Sequence, residues 1–141
     1  MNEYTDLKKM FEEYNKNTEG MVENLHSVLL SHPDKIIYIY GAGGHTIGLL
    51  SRTYHFLKPL GVIDGDPSKE GKYIPGFNIP VHSREILNTI DYANTLIIIS
   101  SKILQDEIAE SLRDYILKGL QVITLYPKVD FLRTPQQEQT P

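Results

Sequence analysis

The chain contains no cysteine, so disulfides, thiolate nucleophiles and Cys-ligated zinc or iron–sulfur centres are excluded. It also lacks a basic surplus: 14 Lys and Arg stand against 18 Asp and Glu, a formal net charge of −4. Nucleic acid and anionic membrane call for bulk cationic surface to neutralise phosphates, so neither is expected as a partner. No apolar run approaches the roughly 20 residues needed to cross a bilayer. The opening MNEYTDLKKMFEEYNK is charged and amphipathic and does not read as a secretory leader, which makes a cytoplasmic location the expectation. There is no G-x-S-x-G elbow. His26, His32, His55 and His82 are scattered without metal-ligand spacing and read as surface residues. DGDPSKEG starts like a calcium loop, but the later ligand positions fail, so no metal is expected.

What is present fits one domain in 141 residues. Leu7, Met10, Phe11, Tyr14, Met21, Val22, Leu25, Val28 and Leu29 recur at helical spacing. Leu7, Tyr14, Met21 and Val28 are spaced by seven, with Phe11, Thr18 and Leu25 interleaved, a short heptad pattern with one polar defect. This predicts a long amino-terminal helix, with a break near Thr18–Gly20 where weak helix formers cluster, ending before His32-Pro33. It either lies across the main domain or pairs with a copy of itself or another protein. Strands are predicted at 35–40, 60–63, 95–100 and 121–125, with a short extended piece at 78–81. Helices are predicted from Gly44 to about Phe56, from Ser83 through Leu87, and from Ile103 to Lys118. Strand–helix alternation with buried strands predicts a parallel sheet covered on both faces. The fold expectation is an α/β Rossmann-like parallel sheet of four to five strands behind the long helix. The chain divides into a docking or oligomerisation helix (1–32), a Rossmann-like domain (33–128) and a flexible tail (129–141).

In such sheets ligands sit outside the carboxyl ends of the strands, at the switch point. That brings the loop YGAGGHTIG, Asp64 and Ser100–Lys102 to one crevice. Gly41 permits the turn out of the strand, and Gly43 and Gly44 let a backbone approach a ligand. The helix that follows turns free N–H groups and its positive dipole end toward an anion. Thr46 stands where the dinucleotide fingerprint has its third glycine, and its hydroxyl suits a helix cap or a phosphate oxygen. Gly48 is a candidate to restore close helix–strand packing. His45 is placed to touch a phosphate or a sugar hydroxyl. Asp64, at the end of the next strand, is positioned for a ribose or sugar hydroxyl. Ser100, Ser101 and Lys102 form the far side, with capping of the next helix an equal use for the serines.

GVIDGDPSKEGKYIPGFNIPVHSREIL is the most distinctive stretch. With Asp64, Asp66, Pro67, Lys69, Gly71, Pro75, Gly76, Ile79, Pro80 and Val81 in that order, it resembles the C-terminal domain of SAM-dependent sugar C-methyltransferases. The likeness runs over roughly residues 20–127. It departs from that family's pattern in the glycine loop and in SSKILQDEI, where the family carries a Trp. The SAM-binding domain and zinc-binding cysteines of those enzymes have no counterpart in the sequence. YGAGGH is also similar to the amino-terminal nucleotide-sugar-binding domain of bacterial sugar acyltransferases. Both resemblances imply a module that handles nucleotide-sugars or related phosphorylated metabolites, in an accessory or substrate-binding role within a system such as C-methylation. The partners expected are a small phosphorylated ligand and either an enzyme subunit or a second copy held through the first helix. An NAD(P)-binding oxidoreductase or epimerase-like fragment is the alternative enzyme reading, and an oligomerisation protein with a vestigial site is the structural one.

Overall fold

Residues 95–99, TLIII, explain the centre of the molecule. A strand points successive side chains to opposite faces, and here both faces are apolar. Leu96 and Ile98 enter one core cluster, Ile97 and Ile99 the other. The computed structural model describes residues 3–133. Its strands are β1 (Ile36–Tyr40), β2 (Gly61–Asp64), β3 (Tyr73–Ile74), β4 (Ile79–Ser83), β5 (Thr95–Ile99), β6 (Gln121–Thr124) and β7 (Asp130–Phe131). They form one seven-stranded sheet in the order β3-β4-β2-β1-β5-β6-β7. The central five are parallel, and the two-residue edge strands β3 and β7 run antiparallel. The chain starts in the middle of the sheet, builds outward through β2 and β4, then returns to the other side of β1 with β5. The switch point therefore lies between β1 and β5, which pair from Ile36↔Thr95 to Tyr40↔Ile99.

The helices are α1 (Glu3–Leu30), α2 (Gly44–Thr53), α3 (Gln105–Ser111) and α4 (Arg113–Leu117). One face of the sheet packs against Leu25 and Leu29 of α1 and Leu49 and Leu50 of α2. The other packs against Leu87, Ala109, Leu112 and Ile116. The mixed α/β fold with its long first helix is as expected. The sheet has two more strands than expected, because two-residue edges are too short to show a period.

Four local expectations are corrected. α1 runs unbroken for 28 residues: the Thr18 hydroxyl donates to the Tyr14 carbonyl at 2.8 Å and so stays within the helical pattern. The helix expected over 103–118 is split at Leu112. There the Arg84 guanidinium donates to the Ser111 carbonyl at 2.5 Å and to its Oγ at 2.9 Å. That carbonyl is thus drawn away from the next turn while Leu112 stays fully buried. The segment 84–88 is a 3-10 turn, and the Ser83 side chain makes no capping bond to it. β7 lies within the stretch assigned to the tail; residues 134–141 of that stretch fall outside the described residues.

Candidate ligand-binding groove

The loop between β1 and α2 is held from below by two hydroxyls. Thr46 is fully buried, and Ser100, at the end of β5, nearly so. The Thr46 hydroxyl donates to the Gly41 carbonyl and lies 2.6 Å from Ser100 Oγ, which is 3.2 Å from the Tyr40 carbonyl. Both hydroxyls point inward, so they lock the loop onto β5. Gly41 needs to be glycine: its φ is +118°, and a Cβ would sit 2.9 Å from Ser100 Oγ.

Asp64 braces the same loop from the β2 side. Its Oδ2 accepts the Ala42 amide at 2.8 Å, and its Oδ1 accepts the Asp66 amide at 2.8 Å. Lys69 Nζ stands 3.7 Å from Oδ2. Each oxygen of this carboxylate thus already accepts one backbone amide. Asp66 caps the turn at 67–69, and hydrogen bonds from the Ser68 amide and hydroxyl hold its carboxyl below the usual range, with Lys69 and Lys72 adding a smaller pull.

Beyond Ala42 the loop opens. Among the described residues, the amides of Gly43, Gly44 and His45 have no protein acceptor. Gly43 is the N-cap of α2, with φ −112° and no side chain to satisfy the helix end. A Cβ at Gly43, Gly44 or Gly48 would meet nothing within 4 Å. Gly48 therefore does not serve close packing of α2 on a strand. Gly44 and Gly48 lie one turn apart, on the same side of the helix.

That side is the wall of a groove of about 1250 Å³. The opposite wall is the middle of α1, from Tyr14 to Asn24, including Gly20, whose Cβ position is likewise empty. The far end is made by Ser100 and Lys102 after β5 and by 125–129 after β6. Lys16, Arg52, Lys102 and Lys128 line the groove, with Asp106 as the opposing charge. This cationic concentration contrasts with the acidic chain as a whole. Lys102 Nζ lies 5.6 Å from the Tyr126 ring centroid. The Tyr126 phenol is pushed above its ordinary pKa, first by burial and then by the neighbouring Tyr14.

The expected site residues thus separate into groups. Gly43, Gly44, His45 and Lys102 are exposed at or beside the groove, whereas Gly41, Thr46, Asp64 and Ser100 build its support. Ser101 Oγ accepts the Leu104 amide at 3.1 Å and caps the turn before α3. Sequence reasoning missed Gln105, which is 8% exposed. Its Nε2 donates to the Tyr126 carbonyl at 2.7 Å, and its Oε1 accepts the Leu125 and Tyr126 amides at 3.1 Å each. The clue was a glutamine at the helix start, a place where a solvated polar residue is the ordinary reading. Tyr14, Lys16 and Arg52 were missed because they sit on helix faces that only the tertiary fold turns toward the loop. Among the described residues there is no group of three or more His, Cys, Asp or Glu suited to a metal, and no helix long and apolar enough to cross a membrane.

The family model for the C-methyltransferase C-terminal domain matches residues 2–127. The chain belongs to that family. This C-methyltransferase C-terminal domain includes α1, so the first helix and both walls of the groove are parts of the family unit. No curated protein matched the chain. Among solved structures, it resembles UDP-D-quinovosamine 4-dehydrogenase from Vibrio fischeri at 19% identity and a TM-score of 0.51, covering 71% of this chain and 94% of that one. At that identity the likeness speaks for the shared fold.

Proposed function

We propose that this C-methyltransferase C-terminal domain is the substrate-holding module of a sugar-modifying system and that its groove takes a nucleotide-sugar. The diphosphate would lie on the Gly43–His45 amides at the α2 end, with Lys102 and Arg52 supplying countercharge. The nucleoside and sugar would extend between α1 and the β6 end, where Tyr14 and Tyr126 offer aromatic surface. The family supports a place in C-methylation, and the fold shared with UDP-D-quinovosamine 4-dehydrogenase is consistent with that ligand class.

One observation carries the reading. Glycine inside a helix costs about 1 kcal/mol relative to alanine, yet Gly20 and Gly48 face one groove and, among the described residues, nothing lies within 4 Å of a Cβ at either. A fold under selection for stability alone has no use for that bare strip, whereas a bound ligand does.

Calorimetric titration with UDP- and dTDP-sugars, and with NADH as comparison, tests it. Wild-type protein is expected to bind a nucleotide-sugar. Gly48→Leu, which fills the groove while improving helix propensity, is expected to be at least as stable and to lose that binding. Equal heats from both proteins, or saturable binding of NADH alone, would overturn the proposal.

A further inference from the structure

The first four turns of α1 carry large apolar side chains that stay mostly exposed. Tyr4 is 75% exposed, Leu7 55%, Met10 64%, Phe11 68% and Tyr14 62%. Tyr4, Leu7, Phe11 and Tyr14 continue, at three- and four-residue steps, the same stripe that carries Met21, Leu25 and Val28 onto the domain core. The stripe is therefore one seam whose second half is occupied by the chain's own domain and whose first half is bare. A helix rises about 1.5 Å per residue, so the bare half extends roughly 15 Å beyond the part that packs.

We propose that this bare half pairs antiparallel with the same segment of a second copy of the chain. The direction follows from sterics. In a parallel pair, the second helix would run along the seam into the region beyond Thr18, where the chain's own domain already sits. In an antiparallel overlap, each domain stays at its own end. The register is self-complementary about residue 9. Tyr4 meets Tyr14 of the second copy, and Leu7 meets Phe11 of the second copy, which gives four apolar layers related by a two-fold axis. Tyr4, Leu7, Phe11 and Tyr14 together expose roughly 500 Å² per copy, taking about 200 Å² for each large side chain. Burying all of it on both copies reaches on the order of 1,000 Å², the lower bound for a specific interface. Of these four side chains, Tyr14 also lines the groove, whereas Tyr4, Leu7 and Phe11 lie outside it.

The absence of cysteine makes the test clean. Sedimentation of the full chain is expected to show a monomer–dimer equilibrium. Phe11→Glu should raise the dissociation constant by about a hundredfold, because it buries an unpaired carboxylate in an apolar layer. Phe11 is too exposed for its loss to threaten folding, and an unchanged circular dichroism spectrum verifies that. Under oxidation, a mixture of Leu7→Cys and Phe11→Cys chains should form the mixed disulfide dimer in preference to either homodimer. A wild-type chain that stays monomeric up to about 0.1 mM would overturn the proposal. So would a dimer indifferent to Phe11→Glu, or Leu7→Cys chains that cross-link to themselves as readily as to Phe11→Cys chains.

Discussion

Replacing Gly41, Gly44 and Gly48 singly by alanine separates glycines that the fold needs from glycines that it tolerates. At Gly41 two costs combine. A φ of +118° forces an L-residue into a region that costs about 1–2 kcal/mol. The new Cβ also lies 2.9 Å from Ser100 Oγ, an atom fixed between Thr46 and the Tyr40 carbonyl. Relieving that overlap adds about 1–2 kcal/mol. The expected loss is about 3 kcal/mol, a large share of the 5–15 kcal/mol that holds a domain of this size together. At roughly 4 °C per kcal/mol, the melting temperature should fall by about 12 °C. Gly48→Ala has the opposite sign: the Cβ meets nothing, and an alanine in a helix gains about 0.8–1 kcal/mol over glycine. Gly44→Ala, in the first turn, should gain somewhat less. Chemical denaturation of the four proteins, at constant slope, reads all three differences. If Gly48→Ala destabilises the protein, the space over α2 is in use by the fold, and the main support for the binding groove is lost. A neutral Gly41→Ala would show that the Thr46–Ser100 lock does not hold the loop.

Thr46→Val should cost about 2 kcal/mol, because it strands the Gly41 carbonyl beside the buried Ser100 hydroxyl. The double variant with Ser100→Ala should cost less than the sum of the singles in urea unfolding, since the groups share one network. Gln105→Leu leaves the Leu125 and Tyr126 amides and the Tyr126 carbonyl without their partner, with an expected loss of about 2–3 kcal/mol in the same assay. The Tyr126 phenol is raised in the folded protein. Its contribution is therefore complete below the ordinary phenol pKa of about 10 and is lost as pH rises through the folded value. Spectrophotometric titration should find one late-titrating phenol fewer in Tyr126→Phe, and that variant should lose less stability than wild type at alkaline pH. Lys102→Ala should weaken nucleotide-sugar binding and flatten its salt dependence, read by calorimetry at several ionic strengths.

Much of the fold was legible because its strands are buried on both sides. TLIII and IIYIY are short runs without a charged residue, and Pro33 and Gly41 flank the second. β3 and β7 were not legible because two residues cannot show alternation. The break at Leu112 depends on Arg84, distant in sequence, and no local window contains both. In the candidate site, the sequence marked the loop but not the direction of its side chains. Thr46 and Asp64 have the chemistry to meet a ligand, yet Thr46 is drawn inward by Ser100, and Asp64 is engaged by the Ala42 and Asp66 amides. A polar side chain beside a tight loop can serve the loop or the ligand equally well, and only its partners decide which.

The position of α1 also limits how the domain can be dissected. Leu25 is fully buried, Leu29 is nearly so, and Met21 and Val28 pack against the same cluster. Deleting residues 1–30 exposes an apolar face of the sheet. At about 1.5–3 kcal/mol for each large side chain removed from the core, the loss rivals the whole stability of the domain. Such a deletion would abolish ligand binding and self-association together and would distinguish nothing. Removing residues 1–12 instead takes away Tyr4, Leu7 and Phe11 but keeps Tyr14, Lys16 and the packed turns. The shorter chain should remain folded with its groove intact, binding its ligand as a monomer. If it binds no ligand while still melting cooperatively near the wild-type temperature, the groove depends on the second copy, and the two roles of α1 are one.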